Sequence, residues 1–274
     1  EAPGCEVLMG EVGGPAGDME GGPSLGAPPR TRHEQPRDTV LSVHVCFLPM
    51  VGATGELKTK PTQHSVRELR SKGIQPDVIL LRSDHNVSRD ISEKVALFCD
   101  VDPRAVIPME TVQSIYEVPL LLEERGLGDY VIERLGLHGG RDLAEWREMV
   151  QKLKHPSGVV EVAVVGKYVE LHDAYMSVKE SLAHAGITNE VDVDIRWIHA
   201  ETLEARPAAD VLAGVSGVVV PGGFGERGWE GKVAAAAWAR ENKVPYLGLC
   251  LGMQVMVTEF ARNVCGMKGA NTTE

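Results

Sequence analysis

The chain has 274 residues, of which 43% are hydrophobic and 24% charged, and its net charge at neutral pH is −11. This composition is typical of a globular protein with room for two domains, and the charge argues against nonspecific binding to nucleic acid. Because we find no membrane-length apolar run, no signal-peptide pattern and no metal-binding spacing among five scattered cysteines, we expect a reduced protein of the cytoplasm.

The first 38 residues are rich in glycine, proline and arginine and have no regular period, which favours loop or disorder. Within them, the acids of the segment 11–20 fit a metal or nucleotide site and fit solvated loop charges equally well. Beyond them the pattern predicts strands at 39–50, 77–82 and 105–108. It predicts helices at 63–72, 88–99, 118–125 and 130–135.

A basic loop, residues 52–65, joins the first predicted strand to the first predicted helix. It carries Lys58 and Lys60, with hydroxyl groups at Thr59 and Thr62. Ammonium and hydroxyl groups beside the free N–H groups of a helix N-terminus suit phosphate oxygens. The residues alone leave an exposed basic loop as an equal alternative.

A polar helix predicted at 143–154 is interpreted as part of an interdomain linker at 138–160. Past it, strands predicted at 159–165, 191–198, 217–220 and 244–249 alternate with helices at 174–186, 201–213 and 231–242. Such alternation predicts a parallel sheet covered by helices on both faces. The chain is therefore predicted to be α/β, with two doubly wound domains whose ligands bind at the carboxyl ends of the strands.

The second domain contains a candidate nucleophile at Cys250. The cysteine lies between an apolar strand and a helical pattern, and Gly248 and Gly252 flank it. This is the pattern of a nucleophile elbow, where glycines permit a sharp turn and a helix N-terminus lowers the pKa of the thiol. The alternative is a buried structural cysteine.

A glycine turn at 221–225 ends the neighbouring predicted strand. The N–H groups of Gly223 and Leu251 would together form a two-donor oxyanion hole for tetrahedral intermediates. The alternative is that these glycines serve only to form a tight turn and have no catalytic role. A thiol nucleophile also needs a histidine base, and all nine histidines precede Cys250, His199 being the last. We therefore expect an incomplete catalytic set and no sustained turnover by this polypeptide.

Together these segments resemble the glutamine-dependent CTP synthases. The resemblance covers about residues 11–274 and is weakest at 21–38. Its most specific piece is 55–65, Gly-Glu-Leu-Lys-Thr-Lys-Pro-Thr-Gln-His-Ser, which matches the synthetase half, whereas 221–225 and 245–254 match the class I glutamine amidotransferase half. It implies a P-loop, dethiobiotin-synthetase-like domain at 1–137 and a flavodoxin-like glutaminase domain at 161–274, both incomplete.

The resemblance implies an enzyme that makes CTP from UTP. ATP phosphorylates the uracil 4-oxygen, and ammonia released from L-glutamine displaces that phosphate. It also implies Mg²⁺ with ATP, inhibition by CTP, a homotetramer at full length and a cytoplasmic location. The family's phosphate loop, its second magnesium carboxylate and its glutaminase His and Glu have no match here. Pro15 stands where the family has threonine.

By match, Cys250 is the implied nucleophile, and the residues implied to hold glutamine and its oxyanion are Gly223, Leu251, Gly252, Met253 and Gln254. The residues implied to contact UTP or CTP are Asp18, Met19, Glu20, Lys58, Thr59, Lys60, Pro61, Thr62, Gln63 and Lys94. Glu11 is the implied magnesium ligand, and Val112 lies near the ATP base. Two alternatives stay open: a non-catalytic relative that binds a nucleotide or a partner chain, and another glutamine-dependent synthetase, which the 58–63 segment disfavours.

Overall fold

A computed structural model describes residues 7–12, 34–36, 38–52, 55–138 and 140–273. The chain forms two compact units that divide between Ala144 and Glu145. This division lies within the predicted linker of 138–160, although the domain limits themselves stay a prediction. Each unit has its own parallel sheet, so the predicted α/β class is confirmed.

The first unit is built on three parallel strands. Its elements are β1 (Val43–Phe47), β2 (Met50–Val51), β3 (Glu56–Leu57), α1 (Lys60–Ser71), β4 (Val78–Ser83), α2 (Arg89–Cys99), β5 (Val106–Glu110), α3 (Val118–Glu124) and α4 (Leu127–Leu135), with short 3-10 helices at Pro103–Ala105 and Ile115–Glu117. The parallel sheet has the order β1-β4-β5, and β2 pairs with β3 as a small antiparallel hairpin.

Helices cover both faces of this sheet, because successive strand residues point to opposite sides. On one face, α1 and α2 pack through Cys46, Ile79, Leu81, Val66 and Val95. On the other, α3 and α4 pack through Val78, Ile107, Leu122, Leu127 and Tyr130. The predicted doubly wound arrangement is therefore present in this unit.

The second unit has four parallel strands. Its elements are α5 (Ala144–Lys154), β6 (Val159–Gly166), a 3-10 helix (His172–Tyr175), α6 (Met176–Asn189), β7 (Asp192–His199), α7 (Thr202–Ala205), α8 (Ala208–Val211), β8 (Gly217–Val220), α9 (Trp229–Glu241), β9 (Tyr246–Gly248) and α10 (Leu251–Asn263). The strand order is β7-β6-β8-β9. The chain reverses its direction of winding between β6 and β8, which is where open α/β sheets bind ligands.

The strands of this sheet also bury both faces. Ala163 and Val165 of β6 pack in one cluster with Ala235 and Ala239 of α9. On the opposite face α6 approaches β7 so closely that a Cβ at Gly186 would lie 3.1 Å from Cγ2 of Val193. None of the described helices is both long and apolar enough to cross a membrane.

Two predicted helices differ from the structure. The helix predicted at 201–213 is two single turns, because Pro207 has no N–H to donate and holds Arg206 in an extended conformation, φ −131° and ψ 147°. The helix predicted to end at Gly186 continues to Asn189. Gly186 is buried within it and makes room for the carbonyl oxygen of Val191 rather than ending the helix.

The first strand and the basic loop also differ. The strand predicted at 39–50 covers only Val43–Phe47, and the β2–β3 hairpin takes up part of the predicted loop. Helix α1 begins at Lys60, with Pro61 in its first turn, where a fixed φ suits the helix and no N–H is needed. Residues 60–63 therefore lie in a helical turn and not in a loop.

Candidate active site

Cys250 occupies the turn between β9 and α10. Its backbone has φ 52° and ψ −106°, a conformation that L-residues rarely adopt and that costs roughly 1–3 kcal/mol. The residue is exposed and its thiol is free. A strained strand-to-helix turn that presents a nucleophilic side chain at the sheet edge is the geometry of a nucleophile elbow.

Gly248 and Gly252 allow the elements around this turn to pack. A Cβ at Gly248 would lie 2.4 Å from the backbone carbonyl of Gly252, and one at Gly252 would lie 1.9 Å from the carbonyl oxygen of Val220. Both contacts are with backbone, which a rotamer change cannot relieve. The sequence pattern around Cys250 therefore has a steric cause: β8, β9 and α10 meet here with no space for a side chain.

The glycine turn 221–225 lies beside the thiol. A Cβ at Gly222 would lie 3.5 Å from the Cβ of Cys250, and one at Gly223 would lie 3.6 Å from Cδ2 of Leu251. The Leu249 N–H donates to the carbonyl of Val220 at 2.9 Å, which ties the two strand ends together. The structure thus brings together Cys250, Gly223 and Leu251, and their catalytic roles stay a prediction.

The remaining predicted glutamine contacts lie in the first turn of α10. Gly252 is buried, Met253 is exposed, and Gln254 is half-buried with its amide oxygen accepting a hydrogen bond from the hydroxyl of Thr272. Tyr246 donates from its hydroxyl to the carbonyl of Gly252 at 2.9 Å, and burial raises the pKa of that phenol. The start of α10 is therefore held from the β9 side.

Two buried lysines that no sequence pattern indicated lie at the glycine turn. Lys232 of α9 is 1% exposed, and a Cβ at Gly223 would lie 3.5 Å from its Nζ. Lys167 follows β6, is 7% exposed, and donates from Nζ to the carbonyls of Phe224 and of Gly225, the latter at 2.9 Å. Burial, and then Lys167, lowers the pKa of Lys232 to about 8, while burial and Arg227 lower the pKa of Lys167.

A histidine–carboxylate pair lies at the same edge of the sheet, at the end of β7. Nδ1 of His199 is 3.3 Å from Oε2 of Glu201. Two strands, β6 and β8, separate β7 from β9, so at ~4.8 Å per strand this pair is about 14 Å from the end of the strand that leads to Cys250. His199 is therefore not placed to deprotonate the thiol directly.

In the first unit, Lys58 pairs with a carboxylate that the charge of Lys94 also influences. Nζ of Lys58 is 2.5 Å from Oε2 of Glu56. The pKa of Glu56 is lowered mainly by its hydrogen bond with Lys58, and Lys94 lowers it further. Lys58 of the hairpin segment is therefore paired with Glu56, and Lys94 of α2 acts on the same carboxylate only through its charge.

The other residues of the basic segment surround the start of α1. Thr59 is buried, and its hydroxyl oxygen accepts a hydrogen bond from Nε2 of Gln63 at 3.1 Å. Lys60 and Pro61 are exposed. The hydroxyl of Thr62 is buried and has no hydrogen-bond partner, which is rare for a buried polar group.

The remaining predicted contacts are dispersed. Glu11 is exposed and Val112 is half-buried. Asp18, Met19 and Glu20 lie outside the described residues. Within the described ranges no group of three or more His, Cys, Asp or Glu side chains could hold a metal ion. A magnesium ion bound to a nucleotide usually takes one or two carboxylates and several phosphate oxygens, so Glu11 fits as one ligand but does not form a site alone.

Two family models match the chain. The model described as "CTP synthase N-terminus" matches residues 1–137, and "Glutamine amidotransferase class-I" matches residues 170–273. The first covers the unit that contains Lys58 and Lys94, and the second covers the turn at 221–225 and Cys250. The two matches therefore fall on the two groups of residues described above.

Relatives named CTP synthase match almost the whole chain. The one from Roseiflexus sp. (strain RS-1) is 57% identical over 99% of this chain and 49% of its own length, and the one from Carboxydothermus hydrogenoformans is 55% identical over 98% and 50%. A solved Trypanosoma brucei CTPS glutaminase domain with bound acivicin is 48% identical over 42% of this chain and 45% of that chain, with a TM-score of 0.39. The chain spans about half the length of the relatives it matches.

Proposed function

The chain belongs to the CTP synthase family, and from that membership we propose that the whole protein aminates UTP to CTP. ATP supplies the phosphoryl group, and glutamine supplies the nitrogen. Such an enzyme is a ligase. The observation that carries the proposal is the strained, exposed Cys250 beside the turn at Gly222 and Gly223, which has no evident purpose in a protein that only binds nucleotides.

Glutamine hydrolysis would proceed through Cys250. The thiolate attacks the carbon of the glutamine side-chain amide, and the resulting oxyanion accepts hydrogen bonds from the N–H groups of Gly223 and Leu251. When the proton lost by the thiol has been passed to the departing nitrogen, collapse of the intermediate expels ammonia and leaves a thioester. Water then hydrolyses the thioester to glutamate and regenerates the thiol. The first N–H groups of a helix have no intrahelical partner, so Leu251, at the start of α10, is suited to this role.

Nucleotide chemistry would use the first unit. Lys58 pairs with Glu56, Lys94 acts on the same carboxylate through its charge, and we assign both ammonium groups to the phosphates of UTP. The N-terminus of α1, with Thr59 and the residues after it, adds N–H and hydroxyl donors. Lysine and hydroxyl groups of this kind bind phosphate oxygens without specifying the base, so selection of uracil falls to other contacts.

The finer assignments follow the family. We assign Val112 to the surroundings of the ATP base and Glu11 to magnesium, which when bound would neutralise phosphate charge during phosphoryl transfer. Asp18, Met19 and Glu20 are assigned to CTP, which would bind as an inhibitor. A homotetramer at full length and a cytoplasmic location complete the proposal.

The test compares two nitrogen sources in the protein at the full length in which it is encoded. Cys250→Ala should abolish CTP formation from glutamine and leave CTP formation from added ammonium chloride within about twofold of the unsubstituted rate. The matched control is Cys265→Ala, which removes another exposed free thiol and should retain both activities.

Three results would contradict the proposal. If Cys250→Ala still used glutamine, the nucleophile would be wrong. If the unsubstituted protein formed no CTP from ammonia, UTP and ATP, the synthetase assignment would be wrong, and a non-catalytic relative would be favoured. If Cys265→Ala also lost the use of glutamine, removal of any exposed thiol would explain the effect, and no specific role of Cys250 would follow.

A further inference from the structure

Lys167 contacts the glycine turn from the neighbouring strand. It is the first residue after β6, and β6 lies directly beside β8, which leads into the turn. Its Nζ donates to two successive carbonyls, those of Phe224 and Gly225. A buried ammonium that donates to two adjacent carbonyls fixes the orientation of both peptide groups, because each must point its oxygen at the same atom.

Lys167 is itself held in place by an aromatic pair. The hydroxyl oxygen of Tyr175 accepts hydrogen bonds from the backbone N–H of Lys167 at 3.0 Å and from that of Tyr168 at 3.3 Å. The Tyr175 ring stacks on Trp197 of β7, with ring centroids 6.1 Å apart. A Cβ at Gly166 would lie 2.6 Å from the Tyr175 hydroxyl, so glycine is needed here for the approach.

The carbonyls that Lys167 contacts lie next in sequence to Gly223, a candidate oxyanion donor. Gly222 and Gly223 immediately precede the two carbonyls that Lys167 holds, and both glycines lie against the elbow, as the distances to Cys250 and Leu251 show. A turn with several glycines has wide conformational freedom, which an anchor at its far end would restrict. The buried Lys232 also approaches the turn, since a Cβ at Gly223 would lie 3.5 Å from its Nζ.

We propose that Lys167 is a positioning residue for glutamine hydrolysis, which holds the turn so that Gly223 faces the oxyanion formed at Cys250. The inference rests on the proposed function, since it concerns the same thiol chemistry. Lys167 does not touch the reacting atoms in this role. Its effect passes through the carbonyls of Phe224 and Gly225.

The test uses Lys167→Met in the full-length protein, because methionine retains the length and removes the donor. We expect kcat for glutamine hydrolysis to fall about 10- to 100-fold, which approaches the loss seen when an oxyanion donor is removed. KM for glutamine should stay within about threefold. CTP formation from added ammonium chloride should stay within about twofold, which also shows that the variant folds. The matched control is Lys179→Met, which removes an exposed lysine of the same unit.

A second pair of measurements separates turn geometry from thiol reactivity. A chloroketone analogue of glutamine forms a tetrahedral adduct that needs the oxyanion donors, whereas iodoacetamide needs only the thiolate. Lys167→Met should slow labelling of Cys250 by the chloroketone at least tenfold and leave labelling by iodoacetamide within about twofold. Lys167→Arg, which keeps a cationic donor, should recover part of the chloroketone rate. If the methionine variant is insoluble, Lys167→Gln replaces it, with the same expected direction.

The outcomes are distinct. An unchanged kcat in Lys167→Met, or equal losses with glutamine and with ammonia, would overturn the positioning role while the proposed function stands. Equal slowing of both labelling reactions would also overturn it, because the lysine would then act on the thiol. Failure of the unsubstituted protein to react with the chloroketone at Cys250 would contradict the proposed function, and the positioning role would fall with it.

Discussion

At the scale of the residue, Cys250 combines an unfavourable backbone conformation with an exposed reactive side chain. Gly248 and Gly252 let the elements around Cys250 pack backbone against backbone. Such packing allows the strained positive φ of Cys250 to persist. The elbow could be predicted because its cause is local: two glycines at fixed spacing around a cysteine between a strand and a helix. The lysines could not, since an isolated lysine normally indicates an exposed position, and only packing buries Lys167 and Lys232.

The strain at Cys250 predicts an unusual order of stabilities. Cys250→Gly should be about 1 kcal/mol more stable than Cys250→Ala, because glycine adopts φ 52° without steric cost and this gain exceeds its greater entropy loss on folding. Urea denaturation of the two variants measures the difference. At an ordinary position alanine is the more stable residue, so an alanine variant of equal or higher stability would show that the positive φ does not persist in solution.

Burial of Lys232 predicts a rise of stability with pH. Its folded pKa of about 8 lies below the ordinary 10.5, so between these values the unfolded chain binds more protons and folding becomes more favourable as pH increases. Below pH 8 Lys232 is protonated in both the folded and the unfolded state, so it no longer makes stability depend on pH. Lys232→Met removes this titrating group. The free energy of unfolding of the variant, relative to that of the unsubstituted protein, should therefore fall by roughly 2 kcal/mol from pH 7 to pH 9.5.

Urea denaturation of both proteins at the two pH values checks this prediction. Subtracting the two curves cancels the titrations of groups that Lys232 does not influence. Lys179→Met, at an exposed position, should show a constant difference from the unsubstituted protein. A constant difference for Lys232→Met as well would mean that its ammonium is solvated.

At the scale of the element, the site depends on how closely β8, β9 and α10 meet. Gly248 and Gly252 are in contact with backbone, whereas Gly222 faces the thiol across an ordinary van der Waals distance. The sequence pattern predicted these elements but misjudged two helices. Pro207 was a local signal of the break after α7, and it was outweighed by the apolar pattern around it. Gly186 lacked such a signal, because its close partner, Val191, becomes apparent only in the folded unit.

These contacts predict that two glycine substitutions will differ in their effect on stability. Gly252→Ala should destabilise the protein by roughly 1–3 kcal/mol, because the new methyl would meet the Val220 carbonyl at 1.9 Å and the elements would have to separate. Gly222→Ala should change stability by only about 0.5 kcal/mol, as expected where no packing is disrupted. It should still reduce glutamine hydrolysis at least tenfold, because its methyl would lie 3.5 Å from the Cβ of Cys250.

Urea denaturation and glutaminase assays on both variants test the contrast. Equal stabilities for the two variants would show that α10 can shift away from β8 without cost. Full glutaminase activity in Gly222→Ala would place the substrate elsewhere than between this turn and the thiol.

At the scale of the whole molecule, two chemistries are assigned to two units. The parallel sheets and their helices could be predicted, because alternating strand and helix patterns carry that information along the chain. The strand order could not, since it depends on which segments become neighbours. The relatives are about twice as long as this chain.

The division of labour predicts that each activity can be lost alone. Lys58→Met and Lys94→Met should each weaken UTP binding about tenfold, or ~1.4 kcal/mol, because each removes a cationic phosphate donor. Hydrolysis of glutamine should remain. Calorimetric titration with UTP and a glutaminase assay measure the two effects, and Lys72→Met at the other end of α1 is the control. Loss of UTP binding in the control, or none in Lys58→Met and Lys94→Met, would contradict the assignment of the basic segment.

The division of the chain between Ala144 and Glu145 has a spectroscopic consequence. All four tryptophans, Trp146, Trp197, Trp229 and Trp238, follow it, whereas the first unit has tyrosine but no indole. Emission excited at a wavelength that only indole absorbs therefore reports on the second unit, which contains Cys250, alone. Paired with far-ultraviolet circular dichroism, which registers helices in both units, it provides an optical way to tell which unit a substitution has loosened.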